Sequence, residues 1–257
     1  GKQKKNTVSQ SALAQLDQES HDEMATGTRV EHAQAALQKA DAVCFDVDST
    51  VITKEGIDEL AAFLGVGDRV AALTASAMGG SVPFHEALAA RLDVMRPSRK
   101  QLDAMLAAHP PADLLTPGIA ALIARLVALN KRVYLVSGGF RQMIEPVAAE
   151  LAIPPTDIYA NSLLFDDAGD FTGHDPAEPT SRAGGKAKVV ADLKASRGYS
   201  TVVMIGDGAT DMEARDVPGG ADAFIGFGGI QVRDKVKAGA DWFVTSFDEL
   251  MKALAGC

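Results

Sequence analysis

A short apolar stretch that runs directly into acids, Ala42-Val-Cys-Phe followed by Asp46-Val47-Asp48, constrains the fold most. A strand buried on both faces of a parallel sheet has this appearance at its carboxyl end. Further short strands are predicted at residues 132–136, 201–205, 221–225 and 242–244. Helical periodicity separates them, so we expect an open α/β sheet with its ligand site at the carboxyl ends of the strands.

The segment after the first strand has a different pattern. Apolar residues recur at helical spacing through residues 54–110, and no strand of comparable quality interrupts them. We therefore predict a helical cap domain (residues 54–110, called the cap below) inserted into a core formed by residues 29–53 and 111–257. A small hairpin is expected within residues 161–174, where apolar residues alternate.

Residues 1–28 are polar and are predicted to be a loosely ordered N-terminal extension. They contain no apolar core of a signal peptide, and their acids argue against an organelle transit peptide. The first residue is Gly, which points to a trimmed precursor or to an expression remnant. We expect a cytoplasmic protein, or an organellar one if a targeting segment has been removed.

Composition excludes several classes of function. With 25 basic and 34 acidic residues, the net charge of −9 disfavours nucleic acid or an anionic membrane as partner. No apolar run approaches the length of a membrane-spanning helix. Two distant cysteines without a CxxC motif argue against a disulfide scaffold or a zinc ribbon. A small anionic ligand would need positive charge concentrated at its site.

Acid pairs follow two of the predicted strands. Asp46 and Asp48 point to the same side as the chain leaves the sheet, and two such carboxylates are costly unless a cation neutralises one. Asp207 and Asp211 follow the strand at 201–205 within Gly-Asp-Gly-Ala-Thr-Asp. Oxygen ligands of this kind suit Mg²⁺, and the charge of Asp211 argues against a dinucleotide pyrophosphate. Taken singly, each motif could be a solvated acidic loop or a glycine-rich turn.

Two weaker motifs supply groups that bind anions. Ser137-Gly138-Gly139 places a hydroxyl and glycine N–H groups at a predicted helix entrance, although Ser-Gly-Gly is also a common turn. Lys186 lies outside any Walker A pattern, and a lone lysine is ordinarily solvated. These elements all converge on one edge of the predicted sheet, which makes coincidence a poor explanation for the set.

This order of motifs resembles the haloacid dehalogenase superfamily of phosphotransferases, in particular its members that hydrolyse O-phospho-L-serine. The likeness extends from about residue 41 to residue 250. It rests on the segments 41–52, 55–60, 77–84, 115–118, 136–141, 185–186 and 205–214.

The resemblance implies a Rossmann-like core with a mostly parallel sheet, a helical cap after the first strand and a small β-hairpin flap. It makes Asp46 the nucleophile that becomes an aspartyl-phosphate, and Asp48 the acid that protonates the departing oxygen. Mg²⁺ would be held by Asp46, the backbone carbonyl of Asp48 and Asp207. Asp211 would orient Lys186 or metal-bound waters.

The same resemblance assigns the substrate contacts. The phosphoryl group would be held by Ser137, Gly138, Gly139 and Lys186. In the cap, Arg91 would bind the substrate carboxylate and Glu55 its ammonium. Without the family, Arg91 is a side chain at the edge of an apolar face and Glu55 an acid favoured by a helix dipole. The remaining implied contacts are Met78 and Gly79, which would line the pocket, and Thr210, where many relatives carry Asn.

The expected activity is Mg²⁺-dependent hydrolysis of O-phospho-L-serine, which completes serine synthesis, by a monomer or homodimer. Three alternatives stay open at this point. The first is a related phosphatase or phosphotransferase for another small phosphomonoester. The second is a phosphoacceptor signalling domain, against which the cap and Asp48 weigh. The third is an inactive scaffold, against which the intact acids and Lys186 weigh.

Overall fold

The protein is described by a computed structural model that covers residues 27–77 and 83–257. Its main sheet has six parallel strands in the order β3-β2-β1-β6-β7-β8, and β4 and β5 form a separate antiparallel hairpin. The strands are β1 (Ala42–Phe45), β2 (Arg132–Phe140), β3 (Ile158–Asn161), β4 (Leu163–Phe165), β5 (Phe171–His174), β6 (Val202–Gly206), β7 (Ala223–Phe227) and β8 (Trp242–Val244). The predicted α/β sheet and the predicted hairpin are confirmed.

Helices connect these strands on both sides of the sheet. They are α1 (27–39), α2 (Gly56–Phe63), α3 (Gly67–Ala77), α4 (Phe84–Met95), α5 (Arg99–Ala108), α6 (Pro111–Leu114), α7 (Ile119–Ala128), α8 (Arg141–Glu150), α9 (Gly185–Arg197), α10 (Ala209–Asp216), α11 (Asp234–Gly239) and α12 (Phe247–Ala253). Within the described residues, none of the helices is both long and apolar enough to cross a membrane.

Side chains alternate across the sheet and form a core on each face. In β1, Val43 and Phe45 pack into one cluster with residues of α1, α7, α8 and α12. Ala42 and Cys44 point to the other face and pack with residues of α9, α10 and α11. Because both faces of the sheet are covered, the strands consist of continuous apolar residues. This is why they could be predicted from the sequence.

The strand order reverses between β1 and β6. The strands β2 and β3 are added on one side of β1, and β6, β7 and β8 are added on its other side. Ligands of open α/β sheets bind at such a switch point, outside the carboxyl ends of the strands. Asp46 follows β1 and Asp207 follows β6, so the acid motifs lie at this position.

The amino ends of the strands carry a repeated contact. An Asp directly before a strand accepts a hydrogen bond from a backbone N–H at the start of the neighbouring strand. Asp41 accepts from Thr201 at 2.9 Å, Asp222 from Val202 at 2.8 Å and Asp241 from Phe224 at 2.9 Å. These bonds occupy N–H groups at the strand ends, where polar backbone groups need partners.

The helices between β1 and β2 have a third hydrophobic cluster, and it is shared with the core. Leu60, Leu88 and Leu102 pack there with Phe140 of β2, and with Leu163 and Phe171 of the hairpin. The division into a core, a cap and an N-terminal extension stays a prediction.

Three local expectations were wrong. The pair Thr116-Pro117 predicts a helix start, with an N-cap followed by proline at the first helical position. The helix α7 starts instead at Ile119 after Gly118, whose φ of +86° is readily adopted by glycine. The strand predicted at 132–136 continues to Phe140, so Ser137-Gly138-Gly139 lies within β2 and not at a helix entrance. Pro146 is expected from the sequence to bend or delay its helix. It lies inside α8, which begins five residues earlier at Arg141, so it does not delay the helix.

Candidate active site

Three buried carboxylates form the centre of the site. Asp46, Asp207 and Asp211 each offer an oxygen within 4.8 Å of the others, and Asp211 is fully buried. They come from the ends of β1 and β6 and from the first turn of α10. Like charges this close raise one another's pKa and favour a bound cation. Hard oxygen donors of this kind suit a divalent ion such as Mg²⁺, so the residues fit a metal site.

Lys186 provides a positive charge inside this cluster. Its Nζ lies 2.8 Å from Oδ1 of Asp46 and 2.7 Å from Oδ1 of Asp211. Burial lowers the pKa of Lys186, but the two carboxylates outweigh burial and raise it above its ordinary value. Lys186 therefore stays charged at neutral pH. It contacts Asp211 directly, and the role of Asp211 in orienting Lys186 or metal-bound waters stays a prediction.

Asp207 is held from two sides. The Arg233 Nε donates to its Oδ2 at 3.0 Å, and the Thr50 hydroxyl lies 3.4 Å from its Oδ1. Burial and the nearby Asp46 raise the pKa of Asp207 to about 6, while Arg233 acts in the opposite direction. A bound cation would keep this carboxylate ionised.

Asp48 lies in the wide turn Val47–Val51 that follows β1, and its carboxylate is not one of the three that form the cluster. Its Oδ1 accepts a hydrogen bond from the Gly56 N–H at 3.0 Å. Desolvation, followed by the charges of Glu55 and Asp46, raises the pKa of Asp48 to about 8. A carboxyl group with this pKa holds a proton at neutral pH and can donate it.

Ser137 comes to the site at a bulge in β2. Its pairing with β3 shifts between Val136 and Phe140, and the Gly139 N–H donates to the Ser137 Oγ at 2.9 Å. A Cβ atom on Gly139 would lie 3.2 Å from the Ser137 Oγ and 3.2 Å from Oδ2 of Asp48. The absence of a side chain at Gly139 therefore lets Ser137 and Asp48 approach the same space.

Glu55 stands at the rim of the site, just before α2. The Ser49 hydroxyl donates to its Oε1 at 2.6 Å, and an Arg233 nitrogen lies 3.9 Å from the same oxygen. The Glu55 side chain keeps 39% of its surface exposed, so it remains available to a ligand.

Arg91 lies half-buried on α4, where its Nε donates to the Ala87 carbonyl at 3.1 Å. Burial lowers the pKa of Arg91, and the charge of Asp58 partly offsets this. The α4 helix approaches the Ser137-Gly138-Gly139 segment through Phe84, since a Cβ atom on Gly138 would lie 3.6 Å from the Phe84 Cζ. The substrate role of Arg91 stays a prediction.

Of the three remaining predicted contacts, two fall between α3 and α4 in the sequence and one lies on α10. Met78 and Gly79 are outside the described residues. Thr210 is exposed on the first turn of α10, directly before Asp211. Its role in substrate binding stays a prediction.

Sequence reasoning missed Arg233, which contacts both Asp207 and Glu55. Its only local signal is a basic residue immediately before α11, where the helix dipole disfavours positive charge. Thr50 was also passed over, although it lies only two residues after Asp48.

Comparison with known proteins agrees with this geometry. The sequence model of the haloacid dehalogenase-like hydrolase family matches residues 43–215. A chloroplastic phosphoserine phosphatase of Arabidopsis thaliana is 56% identical over 84% of this chain and 72% of its own. A phosphoserine phosphatase of Bos taurus is 54% identical over 84% of this chain and 93% of its own.

The fold has solved counterparts as well. A structure described as a phospho-aspartyl intermediate analogue of phosphoserine phosphatase superposes with a TM-score of 0.70 at 25% identity. The superposition covers 83% of this chain and 98% of that chain.

Proposed function

The chain belongs to the haloacid dehalogenase-like hydrolase family, and we propose that it hydrolyses O-phospho-L-serine to L-serine and inorganic phosphate. The observation that carries the proposal is the grouping of Asp46, Asp207, Asp211 and Lys186, with Asp48 poised beside them. Relatives that are more than half identical to this chain over the aligned residues are phosphoserine phosphatases. This reaction would be the last step of serine synthesis.

In the first step, a carboxylate oxygen of Asp46 attacks phosphorus and the bond from phosphorus to the serine oxygen breaks. Asp48 gives its proton to that departing oxygen, so serine leaves as a neutral alcohol. The raised pKa of Asp48 supports this role, because a carboxyl of ordinary pKa would have no proton to give at neutral pH.

In the second step, Asp48 takes a proton from water, and the resulting hydroxide oxygen bonds to phosphorus. The bond between Asp46 and phosphorus breaks, which returns the Asp46 carboxylate and releases phosphate. Splitting one difficult displacement into two easier ones is the general advantage of a covalent intermediate.

Charge on the phosphoryl group must be stabilised in both steps. We assign this to the Lys186 ammonium, the Ser137 hydroxyl and the N–H groups of the Gly138-Gly139 segment. Mg²⁺ held by Asp46, the Asp48 carbonyl and Asp207 would neutralise part of the phosphate charge. Glu55 would accept the substrate ammonium, and Arg91 its carboxylate.

The test is phosphate release from phosphoserine against a panel of phosphomonoesters, with and without a chelator. We expect phosphoserine to be preferred, chelation to abolish turnover and added Mg²⁺ to restore it. Asp46→Asn should abolish turnover and leave the protein folded, because the side-chain volume is nearly unchanged and Lys186 keeps its contact with Asp211. Asp192→Asn, on the exposed surface of α9, is the matched control. Equal turnover by Asp46→Asn and wild type would exclude Asp46 as nucleophile.

The compartment and the oligomeric state remain predictions: a cytoplasmic or organellar protein, as a monomer or homodimer. The word "chloroplastic" in the name of the Arabidopsis relative supports the organellar alternative. Fractionation and sedimentation of the native protein would decide both.

A further inference from the structure

The bulge in β2 leaves a backbone carbonyl that a side chain satisfies. Val136 pairs with Tyr159 and Phe140 with Asn161, so four steps along β2 match only two along β3. The intervening segment bows out of the ladder. The Asn161 Nδ2 donates to the Gly138 carbonyl at 2.8 Å, and Asn161 is fully buried.

Thr180 is the second hydrogen-bond partner of that amide. Its hydroxyl donates to the Asn161 Oδ1 at 3.0 Å, and only 3% of its surface is exposed. Since the Gly138 carbonyl can only accept, the amide nitrogen is the atom directed at it, which leaves Oδ1 to accept from Thr180. A flipped amide would place its oxygen against the Gly138 carbonyl oxygen, where neither atom has a proton to donate.

The turn that carries Thr180 also supports the start of α9. A Cβ atom on Gly185 would lie 2.1 Å from the Pro179 carbonyl oxygen and 2.8 Å from the Thr180 Cα. Lys186 is the next residue along the chain. The turn Pro179–Ser181 therefore contacts both the segment around Gly138 and the helix that presents Lys186.

We infer that Asn161 and Thr180 are positioning residues that set the distance between the Gly138 N–H and the Lys186 ammonium for binding of the phosphoryl group. This rests on the proposed function, because it assumes that both groups bind the same phosphate. Hydrogen-bonded polar pairs this deeply buried add little net stability over apolar replacements, but they hold one geometry. Loss of that geometry should weaken the binding of phosphate more than it destabilises the fold.

The test compares Thr180→Val, which removes the hydroxyl at similar volume, with Thr180→Ser, which keeps it. Ser181→Ala is the matched control, because Ser181 is equally buried in the same turn but donates to the Glu178 carbonyl at 2.8 Å. Each variant is measured for kcat and KM with phosphoserine, for affinity toward inorganic phosphate by calorimetry and for its thermal midpoint.

We expect Thr180→Val to lose between about 10-fold and 100-fold in kcat/KM and in phosphate affinity, as a small misplacement of binding groups can cost. Thr180→Ser should recover most of the loss, and Ser181→Ala should stay close to wild type. Wild-type behaviour of Thr180→Val, or an equal loss in Ser181→Ala, would overturn the inference.

Asn161→Asp keeps the test decisive if Thr180→Val does not fold. It has nearly the same volume but cannot donate to the Gly138 carbonyl when ionised, so the same losses are expected, and unchanged phosphate affinity would contradict the inference. Failure of wild type to hydrolyse phosphoserine would count against the proposed function alone. The phosphate affinities of the variants would still decide the roles of Asn161 and Thr180.

Discussion

Arg233 and Asp207 form a close ion pair, in which the arginine Nε lies 3.0 Å from the carboxylate Oδ2. The arginine comes from the loop after β7, and the aspartate from the end of β6. One nitrogen of the same guanidinium lies 3.9 Å from Glu55. A single side chain thus links a residue proposed to hold the metal to one proposed to bind the substrate ammonium.

Removal of this guanidinium should lower the free energy of unfolding of the metal-free protein. Arg233→Ala leaves Asp207 buried beside Asp46 without its cation, and an unpaired buried charge is costly. We expect a loss of about 1–3 kcal/mol in the free energy of unfolding without metal. The loss should shrink in saturating Mg²⁺, which supplies positive charge to the same carboxylate. Chemical denaturation with and without Mg²⁺ measures both, and an equal loss in the two conditions would contradict this explanation.

Substitution at the recognition end should discriminate between substrates. Glu55→Gln and Arg91→Met each remove a charge that phosphoserine would contact and that p-nitrophenyl phosphate would not. We expect kcat/KM for phosphoserine to fall by between about 10-fold and 100-fold, the value of a hydrogen bond to a charged group. Turnover of the aryl phosphate should fall much less.

Glu86→Gln, exposed in the first turn of the helix that carries Arg91, serves as the control for those two variants. Parallel losses on both substrates would show that Glu55 and Arg91 act on the phosphoryl end or on folding, and the proposed recognition would then be wrong.

Loss of a strand-end aspartate should reduce stability without changing catalysis. Asp222 accepts the Val202 N–H and also contacts the Lys194 Nζ at 2.7 Å. Asp222→Ala leaves that N–H without its partner, which costs about 1–3 kcal/mol. Asp192→Ala breaks the exposed pair with Lys188 and should have little effect. Urea unfolding compares the two variants, and equal midpoints would argue against the strand-end role.

The two cysteines should differ sharply in reactivity. Burial raises the pKa of the Cys44 thiol to about 12, whereas Cys257 is exposed. Thiolate is the reactive form, so at pH 8 a thiol reagent should label one cysteine in the folded protein and two in denaturant. Rapid labelling of both in the folded protein would mean that β1 is less protected than its burial indicates.

The parallel sheet and the central acids could be predicted because each signal is local. The strand at 242–244 was predicted with its observed bounds, and β6 was predicted one residue too early, at 201–205. Both strands are apolar runs with polar ends, so the sequence marks them clearly. Asp46 and Asp207 could be expected to meet because the carboxyl ends of adjacent parallel strands lie at one edge.

The parts that could not be predicted depend on contacts between distant residues. The extension of β2 to Phe140 depends on renewed pairing with Asn161 after the bulge, which nothing in Ser-Gly-Gly indicates. Asn161 and Thr180 look like ordinary loop residues in the sequence, and only the folded chain places them 3.0 Å apart. The lone Arg233 is brought to Asp207 in the same way.

The hydrophobic cluster shared between the cap and the hairpin has a consequence for any attempt to simplify this enzyme. Excising the helices and rejoining the ends would leave Phe140, Leu163 and Phe171 facing water, although none of them now exposes more than 7% of its surface. Contiguous apolar patches of that kind promote aggregation. A minimal version would therefore need new polar side chains at these three positions before it could stay in solution.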